Sequence, residues 1–152
     1  MKKFFTISVL VLILLAAIVL IRNFLSNPEQ STGGTITGIV WQWVSVTNQT
    51  TNETTTVPDP TLYTITFHED GTLEGKADCN TFSGTYSQEN GFIINIAAIT
   101  KAYCGDTSMD QQYLQLLGSV VAGGPDGAGN LALETAGGEQ RMIFKNGGPA
   151  PQ

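Results

Sequence analysis

Two cysteines, Cys79 and Cys104, are the side chains best suited to chemistry, and they stand 25 positions apart. In an exported domain an even number of cysteines favours a disulfide, so we expect one bond between them. Two unpaired thiols, buried as small hydrophobic side chains, are the alternative. A zinc site would need more ligands than two thiolates and one distant imidazole, so no metal site is predicted.

His68 is the only histidine, and the carboxylates of Glu69 and Asp70 follow it directly. Hydrolysis by a catalytic triad would have to use this imidazole, yet the chain contains no G-x-S-x-G elbow or comparable nucleophile motif. Adjacent carboxylates at a strand end point to opposite sides and cannot flank one bond. Residues 126–130, DGAGN, lack the further acidic ligands of a calcium loop. We therefore predict solvated turns here, with no catalytic, metal or cofactor-binding residues.

The elements that would position these residues are mainly short strands. Alternating β-branched and aromatic residues between Asp-Gly, Asn-Gly and Gly-Gly turns are typical of hairpins. This pattern predicts strands over residues 36–46, 62–67, 72–76, 84–87, 92–96, 131–135 and 142–145. Residues 47–60 are expected to form an exposed loop, and the Gly-rich residues 123–130 a turn.

The period of the apolar residues changes after Cys104. Apolar side chains then recur at helical spacing, at Met109, Tyr113, Leu116, Leu117 and Val120. Ser108 with Gln111, or Thr107 with Asp110, could cap the start of this amphipathic helix. Several short strands and one helix predict an α+β fold, a small antiparallel β-rich domain.

The N-terminus carries a membrane signal. Residues 4–21 are eighteen consecutive residues without charge, near the lower limit for a helix that crosses the ~30 Å hydrocarbon core. A signal peptide cleaved near Ala16 and Ala17 is one alternative, but such peptides have shorter apolar regions, and a buried soluble helix is the other. Lys2 and Lys3 precede the run, so the positive-inside rule keeps the N-terminus cytoplasmic and exports the rest.

The chain therefore divides into four predicted parts. They are a transmembrane signal anchor over residues 1–25, a flexible linker over 26–35, a folded domain over 36–147 and a disordered tail over 148–152. Past the anchor, four basic residues face thirteen acidic ones, a net charge of −9. This charge repels nucleic acid and anionic lipid headgroups, so nucleic acid is not expected as a partner.

Two Asn-x-Thr tripeptides lie in the loop 47–60, at Asn48 and Asn52. They would be glycosylated only in an exported protein whose host has the required enzymes. Such tripeptides also arise by chance in Thr-rich loops, so a plain polar loop is the alternative.

The central block of the chain resembles a known family. It contains F-x-x-D-G at residues 67–71, L-x-G at 73–75, DCNTFSGTY at 78–86 and IAAITKAYC at 96–104. The pattern C-N-x-F-x-G-x-Y followed by T-x-x-x-C is similar to the signature of the META domain family, also called HslJ-like, and the similarity spans most of residues 36–145. The resemblance implies a small exported or envelope-associated domain without established enzymatic activity, some relatives being heat-inducible or linked to antibiotic tolerance.

Two departures from the family pattern bear on function. Tyr103 precedes the second cysteine where a Met is usual, and Gln111 and Gln112 stand where the helix often carries an acidic residue. A role tied to that acidic position would therefore not transfer to this chain.

The signature residues are expected to be structural. They are Asn80, Phe82, Gly84, Tyr86 and Thr100. Asn80 is expected to adopt the left-handed region in a tight turn, and Gly84 to supply a conformation closed to other residues. Thr100 is expected to tie a loop through its hydroxyl.

These features predict a non-enzymatic domain, held outside the cytoplasm on a single-pass membrane anchor, that serves envelope maintenance or tolerance of stress and drugs. A module that captures a peptide, a protease or a cell-wall component is the alternative from the binding class. An enzyme of unrecognised type is the third hypothesis.

Overall fold

A computed structural model describes residues 34–151, so the predicted anchor at 1–25 lies outside the described residues. The described part contains nine strands and one α-helix, α1 (Asp110–Gly118). The strands are β1 (Ile39–Asn48), β2 (Thr54–Thr56), β3 (Tyr63–Phe67), β4 (Thr72–Ala77), β5 (Asn80–Ser87), β6 (Ile93–Ile99), β7 (Val120–Pro125), β8 (Leu131–Thr135) and β9 (Gln140–Pro149). None of the helices in residues 34–151 is long and apolar enough to span a bilayer.

The strands form one antiparallel sheet in the order β6-β5-β4-β3-β1-β9-β8-β7, and β2 pairs with β1 beside this path. Most neighbours are consecutive hairpins, whereas β1 lies between β3 and β9, so the first described strand pairs with the last. The sheet curls until its two edge strands approach, and there the Phe92 N–H donates to the Val121 carbonyl at 2.8 Å. The result is an antiparallel half-barrel with one short helix, which confirms the predicted antiparallel β-rich domain.

Aromatic side chains fill the interior of the half-barrel. Trp43 stacks on Tyr113 of α1 with ring centroids 5.1 Å apart, and Tyr63 meets both rings edge-on. Because side chains alternate across a strand, Ile65 and Phe67 of β3 also point inward and are fully buried. Burying large apolar side chains is the main favourable term in folding, so the helix is held by its aromatic contacts with the sheet.

Several predicted boundaries differ from the structure. Residues 120–125 form β7, although the Gly-rich stretch from 123 was predicted to be a turn, and β2 lies within the predicted loop. β9 reaches Pro149, which pairs with Ile39, so it runs past the predicted domain end at residue 147. These segments are weak strands by composition, and pairing with β8 or β1 satisfies their backbone groups.

The helix is shorter than predicted and starts differently. It ends at Gly118, and Val120 already belongs to β7. Neither predicted capping pair forms. The residue before the helix is Met109, and its side chain makes no capping hydrogen bond. Instead, the Met109 N–H donates to the Tyr63 hydroxyl at 2.9 Å, and the Asp110 N–H donates to the Ser108 hydroxyl at 3.2 Å. The helix start is thus held by a residue of β3 and by the local Ser108 hydroxyl.

Candidate functional site

Cys79 and Cys104 form a disulfide, as predicted, with their Cα atoms 5.6 Å apart. Cys79 lies in the turn between β4 and β5, and Cys104 lies in the segment that leads into α1. The alternative of two free thiols is therefore wrong. The bond links the β4–β5 turn to the segment that leads into α1.

Asn80, next to the disulfide, is the centre of a buried polar cluster and is only 3% exposed. Its side-chain oxygen accepts hydrogen bonds from the Ala102 N–H at 2.8 Å and the Thr100 hydroxyl at 3.1 Å. Its Nδ2 donates to the Ala102 carbonyl at 3.0 Å and lies 3.2 Å from both Cys104 Sγ and Asp110 Oδ2. One amide thus contacts the segment before α1 at Thr100, Ala102 and Cys104, and the helix at Asp110.

The structure contradicts one expectation for this cluster and confirms another. The left-handed conformation predicted for Asn80 is wrong, since Asp78 takes it with φ 58° and Asn80 already begins β5. Thr100 does connect two segments through its hydroxyl, which accepts from the Thr81 N–H at 2.9 Å and donates to Asn80.

Gly84 is required because no side chain fits at this position, and not because its backbone takes a special conformation. It sits at an irregularity in the pairing of β5 with β6, and a Cβ there would lie 2.0 Å from the carbonyl oxygen of Asn95. Its φ is not in the left-handed region, so the predicted special conformation is wrong. A side chain at this position would push the two backbones apart.

Phe82 and Tyr86 of the signature point into the half-barrel. Phe82 packs against Tyr113 with ring centroids 6.1 Å apart. The Tyr86 ring meets Phe67 edge-on at 4.8 Å, and its hydroxyl donates to the His68 carbonyl at 2.9 Å. Partial burial raises the pKa of Tyr86, and the nearby carboxylates of Asp70 and Glu69 act in the same direction.

The residues considered for catalysis lie in a solvated turn. The His68 side chain is 38% exposed, and its Nε2 lies 3.8 Å from Glu74 Oε1. Asp70 accepts hydrogen bonds from the Thr72 hydroxyl at 2.6 Å and the Thr72 N–H at 2.9 Å, and these bonds lower the pKa of the Asp70 carboxyl. The carboxylate is thus used to close the β3–β4 turn.

The loop at 126–130 closes in the same way. Asp126 accepts from the N–H groups of Ala128 and Asn130 and from the Asn130 side chain, at 2.8 to 3.0 Å. These bonds lower the pKa of Asp126. Among residues 34–151, no group of three acidic, histidine or cysteine side chains is placed to hold a metal ion.

The two predicted sequons lie at the tip of the β1–β2 hairpin. Asn48 is half-buried, and its side-chain oxygen accepts from the N–H groups of Thr50 and Thr51 at 2.9 and 3.0 Å. Asn52 is exposed and has φ 59°. Asn52 is therefore the more accessible acceptor of the two.

An open cavity of about 700 Å³ lies on the outer face of β3, β4 and β5. Five hydroxyl-bearing side chains line it, Thr64, Thr66, Thr81, Ser83 and Thr100, and we call this surface the hydroxyl trough. It was not predicted from the sequence. The available signal was the T-x-T at 64–66 and T-x-S at 81–83, which places hydroxyls at alternate, outward positions.

A second cavity, of about 790 Å³, lies beside the disulfide. Tyr103, at the position where relatives are expected to carry Met, borders it and is 80% exposed. Its hydroxyl donates to the Asp106 carboxylate, and this bond raises the pKa of Tyr103. The family departure therefore places a polar aromatic ring at the surface.

Comparison with known proteins identifies the fold and the family. The META domain family matches residues 34–147, more than half of the chain. No protein of curated function is significantly similar. A crystal structure of a DUF4847 family protein from Bacteroides vulgatus superimposes with a TM-score of 0.52 at 20% identity, covering 72% of this chain and 93% of that one. An NMR structure of another protein gives a TM-score of 0.49 at 22% identity, covering 72% and 90%.

At such identities structural likeness shows the fold alone. The family match is the stronger finding, because it covers residues 34–147, which are more than half of the chain. This chain belongs to the META domain family.

Proposed function

We propose that this META domain protein is non-enzymatic, is tethered to the membrane by its N-terminus and is displayed outside the cytoplasm. There it acts in envelope maintenance or in tolerance of stress and drugs. The observation that carries this proposal is the Cys79–Cys104 disulfide, because such bonds persist in oxidising compartments and are rare in the cytosol.

The membrane tether is supported by the sequence of residues 4–21, an uncharged apolar run preceded by Lys2 and Lys3. A run of this length suits a spanning helix, and its flanking charge favours export of the chain that follows. Export and disulfide formation are consistent with each other, although they rest on separate parts of the chain.

The absence of catalysis is supported by the hydrogen bonds of the signature residues, because their polar groups are engaged in holding the fold. The amide of Asn80 and the hydroxyl of Thr100 are occupied by bonds that hold the segment before α1. The carboxylate of Asp70 is likewise occupied by Thr72. Groups that hold the fold in this way are poorly placed to move protons or attack a substrate.

Topology and redox state test the location. Full-length protein in cells stripped of their wall should remain in the membrane fraction, lose its domain to added protease, and show no free thiols by mass spectrometry after alkylation without reductant. The double variant Cys79→Ser/Cys104→Ser is the control for alkylation. Two alkylated thiols in protein taken directly from cells, or a domain protected from outside protease, would contradict the proposal.

A deletion strain tests the cellular role. We expect greater sensitivity to heat and to envelope-active drugs, restored by the wild-type gene. A variant that replaces His68, Glu69 and Asp70 by His68→Gln, Glu69→Gln and Asp70→Asn should restore tolerance equally well, because no step of the proposed role uses these groups. Failure of this variant, when it accumulates to the normal level, would point to catalysis instead.

A binding module is the second candidate function. It is favoured by the hydroxyl trough, an open surface on which the hydroxyls of Thr64 and Thr66 stand among apolar side chains such as Val40 and Ile99.

A further inference from the structure

The floor of the hydroxyl trough contains two threonines that are nearly buried although they face away from the core. Thr64 and Thr66 alternate with the inward-pointing Ile65 and Phe67, and they are 9% and 6% exposed. Neither hydroxyl is bonded to another group within residues 34–151, and neither is sealed off, since both line the open cavity. These are unpaired hydrogen-bonding groups at the bottom of a depression.

The rim of the trough carries one charge of each sign. Glu74 and Lys76 stand two residues apart on β4, so both side chains point to the outer face. Within the described part of the chain Lys76 forms no ion pair, and Glu74 has only the 3.8 Å approach of His68. The rim is therefore locally neutral, while the exported part of the chain carries −9.

This chemistry restricts the ligand. An apolar ligand would cover the unpaired hydroxyls of Thr64 and Thr66. They would lose their hydrogen bonds to water and gain none from the ligand, which is unfavourable. An anionic ligand would meet a strongly acidic protein with a single lysine to offset it. The ligand should instead be uncharged and rich in donors and acceptors, with some apolar surface to contact Val40 and Ile99 at the borders.

A carbohydrate has these properties. Its hydroxyls both donate and accept, as do the threonine and serine side chains of the floor. Those side chains lie on neighbouring β-strands, which are about 4.8 Å apart. Several of them can therefore bond to successive hydroxyls of one glycan chain. An extended peptide fits less well, because it binds sheets through free backbone groups at an edge, whereas the backbones of β3 and β4 are paired on both sides.

We propose that the hydroxyl trough binds a neutral glycan strand, with Thr64 and Thr66 as the central hydrogen-bonding residues and Lys76 at the rim. This assignment rests on the proposed function to the extent that export brings the domain to the polysaccharides of the envelope. It would make the domain a glycan-binding module of the cell surface.

Binding is tested with the full-length protein, labelled with ¹⁵N, in detergent micelles. The probes are an N-acetylglucosamine hexamer, a maltose-type glucose hexamer and, as the competing class, an uncharged Gly-Ser peptide. At least one hexamer should shift the amide signals of residues 64–66 and 81–83 and leave those of the β1–β2 hairpin unchanged. The affinity for it should fall at least tenfold in Thr66→Val, which keeps the shape of the side chain and removes only the hydroxyl.

Thr55→Val is the matched control, because Thr55 is an exposed strand residue of β2 outside the trough. It should bind as the wild type does. Thr81→Val provides a second trough variant if circular dichroism shows that Thr66→Val does not fold, and a fall in its affinity would support the site equally.

The proposal would be overturned if neither hexamer bound at about 10 mM, which corresponds to negligible affinity. It would also be overturned if the amide shifts were confined to other surfaces, or if only the peptide bound in the trough. A protein that is exported and disulfide-bonded yet binds neither hexamer would refute the glycan site and leave the proposed location intact. A protein that binds glycan but retains free thiols in cells would refute the location and leave the site intact.

Discussion

A single buried amide, that of Asn80, connects three parts of the domain. It bonds to Ala102 with both its oxygen and its nitrogen, and it lies within 3.2 Å of Cys104 Sγ and Asp110 Oδ2. Buried polar groups are normally satisfied in this way, and removing one partner leaves the others without hydrogen bonds. The residue after the first cysteine is therefore a positioning residue for the segment that precedes the helix.

We expect Asn80→Ala to lower the free energy of unfolding by about 1–3 kcal/mol, because the bonds from this buried amide to Thr100 and Ala102 are lost. Urea unfolding followed by tryptophan fluorescence measures this change. Asn95→Ala, at an exposed position on β6, is the control and should cost less than about 0.5 kcal/mol. Equal losses for the two variants would show that the amide is not what holds the segment.

Tyr113 and Tyr63 are neighbours in the core with opposite polar environments. The Tyr113 hydroxyl is buried without a partner among the described residues, and burial raises the pKa of Tyr113 well above its ordinary value. The Tyr63 hydroxyl accepts from the Met109 N–H at 2.9 Å and donates to Asp78 at 3.4 Å. Removing the first hydroxyl relieves an unpaired group, whereas removing the second creates one.

We therefore expect Tyr113→Phe to leave the free energy of unfolding unchanged or to raise it by about 1 kcal/mol. Tyr63→Phe should lower it by about 1–2 kcal/mol. Thermal and urea unfolding of the two variants, measured side by side, give the comparison. If Tyr113→Phe were the more destabilising change, the hydroxyl of Tyr113 would have to be bonded in solution, for example to an internal water.

At the scale of elements, three turns are closed by aspartates. Asp59, Asp70 and Asp126 each accept a hydrogen bond from the backbone N–H two residues later in the chain. Side-chain hydrogen bonds, followed by these backbone bonds, lower the pKa of all three carboxyls. The turns are thus built by ionised side chains rather than by apolar packing.

A carboxyl whose pKa is lowered by folding stabilises the folded state above its unfolded pKa, and this contribution is lost as pH falls through the lower, folded value. We expect the melting temperature to decline as pH drops below about 4, the ordinary carboxyl range. A variant with Asp59→Asn, Asp70→Asn and Asp126→Asn should decline less steeply between pH 5 and pH 2. Parallel curves for the two proteins would contradict this account.

The pairing of β5 with β6 depends on the missing side chain of Gly84. We expect Gly84→Ala to destabilise the domain by about 1–3 kcal/mol, because its Cβ would overlap the backbone of Asn95. Gly118→Ala is the control, since a Cβ there meets nothing within 4 Å and the backbone is unstrained. Urea midpoints that fall equally for both variants would show that the close approach is not limiting.

At the scale of the molecule, the half-barrel is assembled from distant parts of the chain. β1 lies between β3 and β9, and Tyr113 of α1 packs against rings from β1, β3, β5 and β9. The disulfide adds a covalent link between the β4–β5 turn and the segment before the helix. Its loss should therefore loosen the docking of α1 as well as the turn.

Closing a loop of 25 residues corresponds to roughly 3–4 kcal/mol in the chain-entropy model. We expect reduction, or Cys79→Ser/Cys104→Ser, to lower the urea midpoint accordingly while the folded state persists. Adding Asn80→Ala to the serine variant should cost less than Asn80→Ala alone, because Asn80 Nδ2 contacts Cys104 Sγ and the two changes share a site. Strict additivity would indicate that the amide and the disulfide act independently.

The sequence by itself determined the features that rest on local signals. The β3–β4 hairpin follows from an Asp-Gly turn between alternating residues, β8 coincides with its predicted strand, and the helix follows from its apolar spacing. The disulfide followed from the count of cysteines, and the family from the C-N-x-F-x-G-x-Y pattern. Each of these signals can be read from a short stretch of chain or from the amino-acid composition.

Only the tertiary structure decided the remaining features, because they depend on partners far away in sequence. β2 and β7 have weak strand composition and form because β1 and β8 satisfy their backbone groups. The start of α1 is held by Tyr63, forty-six positions away from Met109, in addition to the local bond to Ser108. The hydroxyl trough likewise exists only because the pairing of β3, β4 and β5 brings Thr64, Thr66 and Thr81 onto one face, which no single segment specifies.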